Sequence, residues 1–69
     1  MEGYSLIGNN MISASSREEL DTRVSELKRN IQSNNKGKSV IVELTPDVGE
    51  VNFIKGSNTV FYAKIYLKE

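Results

Sequence analysis

Between Thr59 and Lys68 the odd positions Phe61, Ala63, Ile65 and Leu67 are apolar, while the even positions Val60, Tyr62, Lys64, Tyr66 and Lys68 mix aromatics, lysines and one valine. Side chains of a strand alternate between two faces, so this pattern predicts a half-buried β-strand with a core side and a second side that is not plain solvent-facing polarity. Upstream, Leu20, Val24, Leu27 and Ile31 recur at spacings of four, three and four. That is one narrow apolar stripe on a helix, predicted from about Ser16 to Asn34. Ser16 with Glu19 three residues on forms a capping box, in which each side chain satisfies a backbone N–H left free at the helix start. Glu18, Glu19 and Asp21 crowd the first turns and Lys28 and Arg29 lie toward the end, the charge order that suits the helix dipole. Arg17/Asp21 and Glu19/Arg23 are i,i+4 pairs on the solvated side, and Gly37 or an asparagine of Asn34-Asn35 supplies the left-handed cap.

Two more strand-like runs, Ser39–Thr45 and Glu50–Lys55, lie between the helix and the last strand. A four-residue turn Pro46-Asp47-Val48-Gly49 sets Leu44 against Val51 and Val42 against Phe53; a three-residue loop Gly56-Ser57-Asn58 sets Phe53 against Phe61 and Glu50 against Lys64. Both turns agree on one core face: Val40, Val42, Leu44, Val51, Phe53, Phe61, Ala63, Ile65 and Leu67. In the first fifteen residues, Gly8-Asn9-Asn10 as a loop yields a hairpin with Tyr4, Leu6, Ile12 and Ala14 on one face; a single bulged strand is the competing reading. The expected architecture is α+β, a single helix packed on one face of a mostly antiparallel sheet, ββαβββ or βαβββ, in one small domain covering residues 1–69.

One helix covers one face. The same registers carry Ile41, Ile54 and Val60 into line on the other, with Glu43, Asn52, Tyr62, Lys64, Tyr66 and Lys68 around them. An apolar cluster edged by tyrosines is the composition of an association surface. The plainer account makes Tyr62 and Tyr66 ordinary strand formers and shields the aliphatic residues with lysine stems and the N-terminal hairpin.

Composition narrows the chemistry. The chain of 69 residues has no cysteine and no histidine, so disulfides, thiol catalysis, imidazole acid–base catalysis and the usual zinc, copper and iron ligand sets are excluded. A fold of this size buries only about 60% of its unfolded surface, and association is the aid to stability that remains. The carboxylates Glu18, Glu19, Asp21, Glu26, Glu43 and Glu50 sit in no evident apolar pocket, and the glycines fall at turns rather than in a phosphate-cradling loop. The expectation is therefore no enzyme, no cofactor and no metal. Without a basic n-region before an apolar run, or the roughly 18 consecutive apolar residues of a spanning helix, the chain is expected to be cytoplasmic with no membrane partner.

Charge guides the choice of partner only in part, because nine Lys and Arg balance nine Asp and Glu. Tyr62, Lys64, Tyr66 and Lys68 interleave rings and cations as single-strand nucleic-acid binders do, but neutral charge and the acidic Glu43 and Glu50 beside them disfavour nucleic acid. Lys28, Arg29, Lys36 and Lys38, with Lys55 brought near Lys38 by the sheet register, form a candidate site for an anion such as a nucleotide; dipole compensation and solubility explain the same residues. In general style a strand–helix–meander chain of this length resembles small bacterial and phage accessory proteins. The expectation taken forward is a non-enzymatic module that binds a protein partner or itself, as a homo-oligomer, through Ile41, Ile54, Val60, Tyr62, Lys64 and Tyr66 or through an edge strand. A phage- or mobile-element-encoded inhibitor or regulator is its concrete form; the alternative is a binder of a nucleotide-like ligand or single-stranded nucleic acid.

Overall fold

The helix starts where the capping residues place it. In a computed structural model that describes residues 2–69, α1 spans Arg17–Asn34 with Ser16 as its N-cap. The Glu19 amide donates to Ser16 Oγ at 3.1 Å, and Glu19 Oε1 accepts from the Ser15 amide, one residue before the cap, also at 3.1 Å. Glu19 further pairs with Arg23 at 3.6 Å. At the far end Asn35 Nδ2 donates to the Ile31 carbonyl at 2.9 Å, and Gly37 takes the left-handed conformation at φ 81°. Leu20 is fully buried, and Val24 and Leu27 pack beside it. The apolar stripe therefore points where its spacing directs it, onto a sheet.

Three strands form that sheet: β1 (Tyr4–Ala14), β2 (Val40–Thr45) and β3 (Thr59–Lys68). Their order is β1-β3-β2, and β3 pairs antiparallel with both neighbours. β1 and β2 thus run parallel with β3 between them, and α1 carries the chain from one outer strand to the other, a split β-α-β unit closed by β3. The core lies between helix and sheet and comprises Ile12, Ala14, Leu20, Phe61 and Ala63, flanked by Val42, Leu44, Val48, Val51 and Phe53. Val40 and Ile65 are buried as well. One helix on one face of an antiparallel α+β sheet is the class that the sequence predicts.

Strand count and connectivity differ from expectation. Glu50–Lys55 forms no strand; the connection from Pro46 to Asn58 holds a short 3-10 helix, Val48–Glu50, and otherwise irregular chain. The architecture is βαββ. A strand has two hydrogen-bonding edges, and those of β3 are taken by β1 and β2, which leaves no place on β3 for a third partner. Leu44 consequently lies opposite Ala63, and Val42 opposite Ile65, rather than opposite Val51 and Phe53. Lys64 lies opposite Glu43 and not Glu50. Val51 and Phe53 still turn their side chains to the core, so the apolar alternation of this segment is satisfied by docking instead of pairing.

The first hairpin is also absent. Residues 4–14 form one strand with a bulge between Leu6 and Gly8, where Ile7 is the extra residue. A bulge breaks the two-residue period. Ile12 and Ala14 face the core opposite the Phe61 end of β3, whereas Leu6 and Tyr4, opposite Tyr66 and Lys68, fall on the other side of the sheet.

Candidate interaction surface

The face of the sheet away from α1 is built of cross-strand rows, because residues directly opposite one another share a side and stand about 5 Å apart. Leu6, Tyr66 and Ile41 make one row across β1, β3 and β2; Met11, Tyr62 and Thr45 make another. Between them runs the polar row Asn9, Lys64 and Glu43, and beyond Tyr62 stands Val60 opposite Ser13. Exposure decides that this side is open: Leu6 is 52% exposed, Met11 63%, Val60 44% and Tyr62 58%. Ile41 and Tyr66 are half-buried by their neighbours in the row.

Four of the residues expected from sequence to line this face, Val60, Tyr62, Lys64 and Tyr66, come together on β3, and Ile41 joins them from β2. Ile54 does not. It lies in the connection before β3, 66% exposed, at a turn closed by the Ser57 amide on the Ile54 carbonyl at 3.0 Å. Leu6 and Met11 take the place that Ile54 was expected to fill, and the N-terminal segment, a cover only in the plainer account, is part of the surface. The alternation of β1 itself points Met11 opposite to Ile12; for Leu6 the only signal in the sequence is the Ile7-Gly8 pair at the bulge.

Ring and cation do not interleave freely on β3. The Lys68 ammonium lies 5.2 Å from the centroid of the Tyr4 ring, its opposite residue across the ladder, and Lys64 stands between Asn9 and Glu43. The second cationic group does not gain Lys55. Lys36 and Lys38 lie in the connection after α1, at the end of the sheet where Ser39 accepts from the Lys68 amide. Lys55 follows Phe53, whose ring packs on Phe61, so roughly 20 Å of strand separates it from Lys38. Lys28 and Arg29 sit on α1, with Arg29 one turn from Glu26 on its outer surface. Lys55 near Lys38 is thus an expectation that the sheet order overturns.

Among the described residues there is no group of three or more acidic, His or Cys side chains placed to hold a metal ion, and no helix long and apolar enough to cross a membrane. Comparison with protein families, with curated proteins and with solved structures finds no match. The arrangement offers contact area: two apolar rows with a polar row between them.

Proposed function

We propose that this chain is a non-enzymatic interaction module that binds another protein through the open face of its sheet. The observation that carries the reading is the pair of apolar rows, Leu6-Tyr66-Ile41 and Met11-Tyr62, in which Leu6, Met11 and Tyr62 are exposed, on the side that α1 leaves uncovered. Exposed Leu, Met, Val and Tyr side chains in and beside these two rows give apolar area of the kind that marks association sites, and tyrosine contributes large contact area at low entropic cost. The Asn9-Lys64-Glu43 row between them supplies hydrogen-bonding and charged groups that fix a partner's orientation. Acting by occupying a partner's surface, such a module works as an inhibitor or regulator, in a cytoplasmic setting. Separation of Lys55 from Lys38 supports a protein partner over a nucleotide-like ligand, and Glu43 beside Lys64 supports it over single-stranded nucleic acid.

The test is affinity capture from the native cell extract with wild type beside a Val60→Ser/Tyr62→Ser variant, both shown to be folded by circular dichroism. A protein retained stoichiometrically by the wild type and lost from the variant supports the reading. Identical captures by both chains refute it.

A further inference from the structure

β1 is an edge strand whose outer side is open, and its composition is that of a strand made to pair. We infer that two copies of this chain associate by antiparallel pairing of β1 with β1 across a two-fold axis at Met11, joining their sheets into one six-stranded sheet. The inference goes beyond the face reading and stands independently of it, since it concerns main-chain groups along the edge and not the side chains of the exposed rows.

Main-chain directions follow from two hydrogen bonds. The Lys68 amide donates to the Ser39 carbonyl at 3.0 Å and the Glu69 amide to the Gly3 carbonyl at 2.9 Å. Even residues of β3 therefore direct their backbone groups to β2 and odd residues to β1. In β1, Gly8, Asn10 and Ile12, opposite Ile65, Ala63 and Phe61, bond to β3; Asn9, Met11 and Ser13 turn their N–H and C=O groups outward. The Met11 amide confirms this direction, for it donates to the side chain of its own neighbour, Asn10 Oδ1, at 3.1 Å.

Edges exposed to solvent are normally blunted by charge, proline or short length. β2 has all three devices: it is six residues long, carries Glu43, and stops before Pro46. β1 runs for eleven residues, Tyr4–Ala14, without a single charged residue or proline, in a chain of which 26% is charged. Its one protective device, the bulge at Ile7, interrupts the edge on one side only. The regular stretch that remains is Gly8–Ala14, with Met11 at its centre.

A two-fold axis at Met11 pairs the outward residues with one another, Asn9 with Ser13 of the second copy and Met11 with Met11. Those pairs exchange roughly six main-chain hydrogen bonds, two for each, the Met11 amide exchanging its bond to Asn10 Oδ1 for one to the second copy. Side chains agree with that register. Met11, on the open face, meets its own counterpart, so the Met11-Tyr62 row continues without interruption into the same row of the second copy. On the helix side, a cleft lies between the Asn10–Ser13 edge and Arg23, Glu26 and Leu27 of α1. The antiparallel copy sets the two clefts side by side, each bordered by a cation, Arg23, and a carboxylate, Glu26. An uncharged edge flanked by one cation and one anion is its own complement, as an isologous interface requires.

Sedimentation equilibrium on the full chain tests this. The wild type is expected at twice its 7.7 kDa. Ser13→Pro removes an outward N–H that β3 does not use, so the fold tolerates it, while two symmetry-related bonds are lost and association weakens by roughly tenfold to a hundredfold. Charge swaps check the register without a proline: Asn9→Glu/Ser13→Glu sets like charges opposite each other and yields monomer, whereas Asn9→Glu/Ser13→Lys sets opposite charges together and keeps the dimer. A wild type that remains at 7.7 kDa at millimolar concentration overturns the inference. So does a dimer indifferent to Ser13→Pro, or one lost equally in both charge variants. A dimer that Ser13→Pro leaves intact and Val60→Ser/Tyr62→Ser dissolves points to face-to-face association instead. Partner capture through the face can fail while the edge dimer stands, and the reverse.

Discussion

The ring of Phe53 packs against that of Phe61 with centroids 6.0 Å apart and planes inclined by 34°, although Phe53 belongs to no strand and shares no ladder with Phe61. The contact ties the long connection before β3 to the buried centre of the sheet, since Phe61 is fully buried. Aromatic pairs in this tilted geometry contribute beyond their area alone. Phe53 is half-buried, so Phe53→Ala is expected to lower unfolding free energy by about 2 kcal/mol, less than the cost of truncating a fully buried ring. Phe53→Leu should cost under about 1.5 kcal/mol. Urea denaturation of both variants decides; equal stability of Phe53→Ala and wild type would show that the connection is not anchored there.

Helix capping offers a second measurement. Ser16→Ala removes the acceptor for the Glu19 amide and is expected to cost about 1 kcal/mol, while Ser16→Asp keeps the acceptor and stays near wild type. The difference should appear as a lower urea midpoint at unchanged slope.

Two glycines separate backbone conformation from space. No atom lies within 4 Å of a Cβ built at either Gly37 or Gly8, but only Gly37 has a positive φ, +81°. Gly37→Ala should destabilise by about 1 kcal/mol. Gly8→Ala should be neutral or stabilise by about 0.5 kcal/mol, because alanine has fewer unfolded conformations to lose. Thermal melts of the pair test this, and a Gly8→Ala cost as large as that of Gly37→Ala would contradict it.

Core and open face should respond in opposite ways. Leu20→Ala, at a fully buried position, is expected to cost roughly 2 to 5 kcal/mol. In a domain whose whole stability is on the order of 0.05–0.15 kcal/mol per residue, that is enough to abolish a cooperative melt at 37 °C. Tyr62→Ser, on the exposed row, should change stability by no more than about 0.5 kcal/mol. If Tyr62→Ser melted the protein, the tyrosine would be a structural residue and the face reading would lose its basis.

Much of this molecule was legible from local pattern. Ser16, Glu19 and the Leu20-Val24-Leu27-Ile31 stripe specify a helix, its start and its buried side, because capping and helical periodicity act within a few residues. Alternation in Thr59–Lys68 and Val40–Thr45 specifies which side chains face the core, and Phe61, Ala63, Ile65, Val42 and Leu44 lie there. Val51 and Phe53 pack against the core as their alternation predicts, although their backbone is not a strand.

Strand order was decided only in three dimensions. β3 has two edges, and three segments with strand-like patterns compete for them; β1 and β2 win, and Glu50–Lys55 is left to dock as a connection. Which segment wins depends on the helix spanning β1 and β2 from one side, a long-range condition that no turn signal encodes. The same outcome placed Ile54 and Lys55 off the sheet and brought β1 alongside β3, so that Leu6 and Met11 joined Tyr62 and Tyr66 on the open face. The bulge at Ile7 completed that change, since one extra residue reverses the side to which every earlier side chain points. By itself, then, the sequence determined the helix, its cap and the inward faces of β2 and β3, whose causes are local; the tertiary structure alone decided pairing, the bulge that splits the faces of β1, and the open surface, whose cause is the limited number of hydrogen-bonding edges on β3.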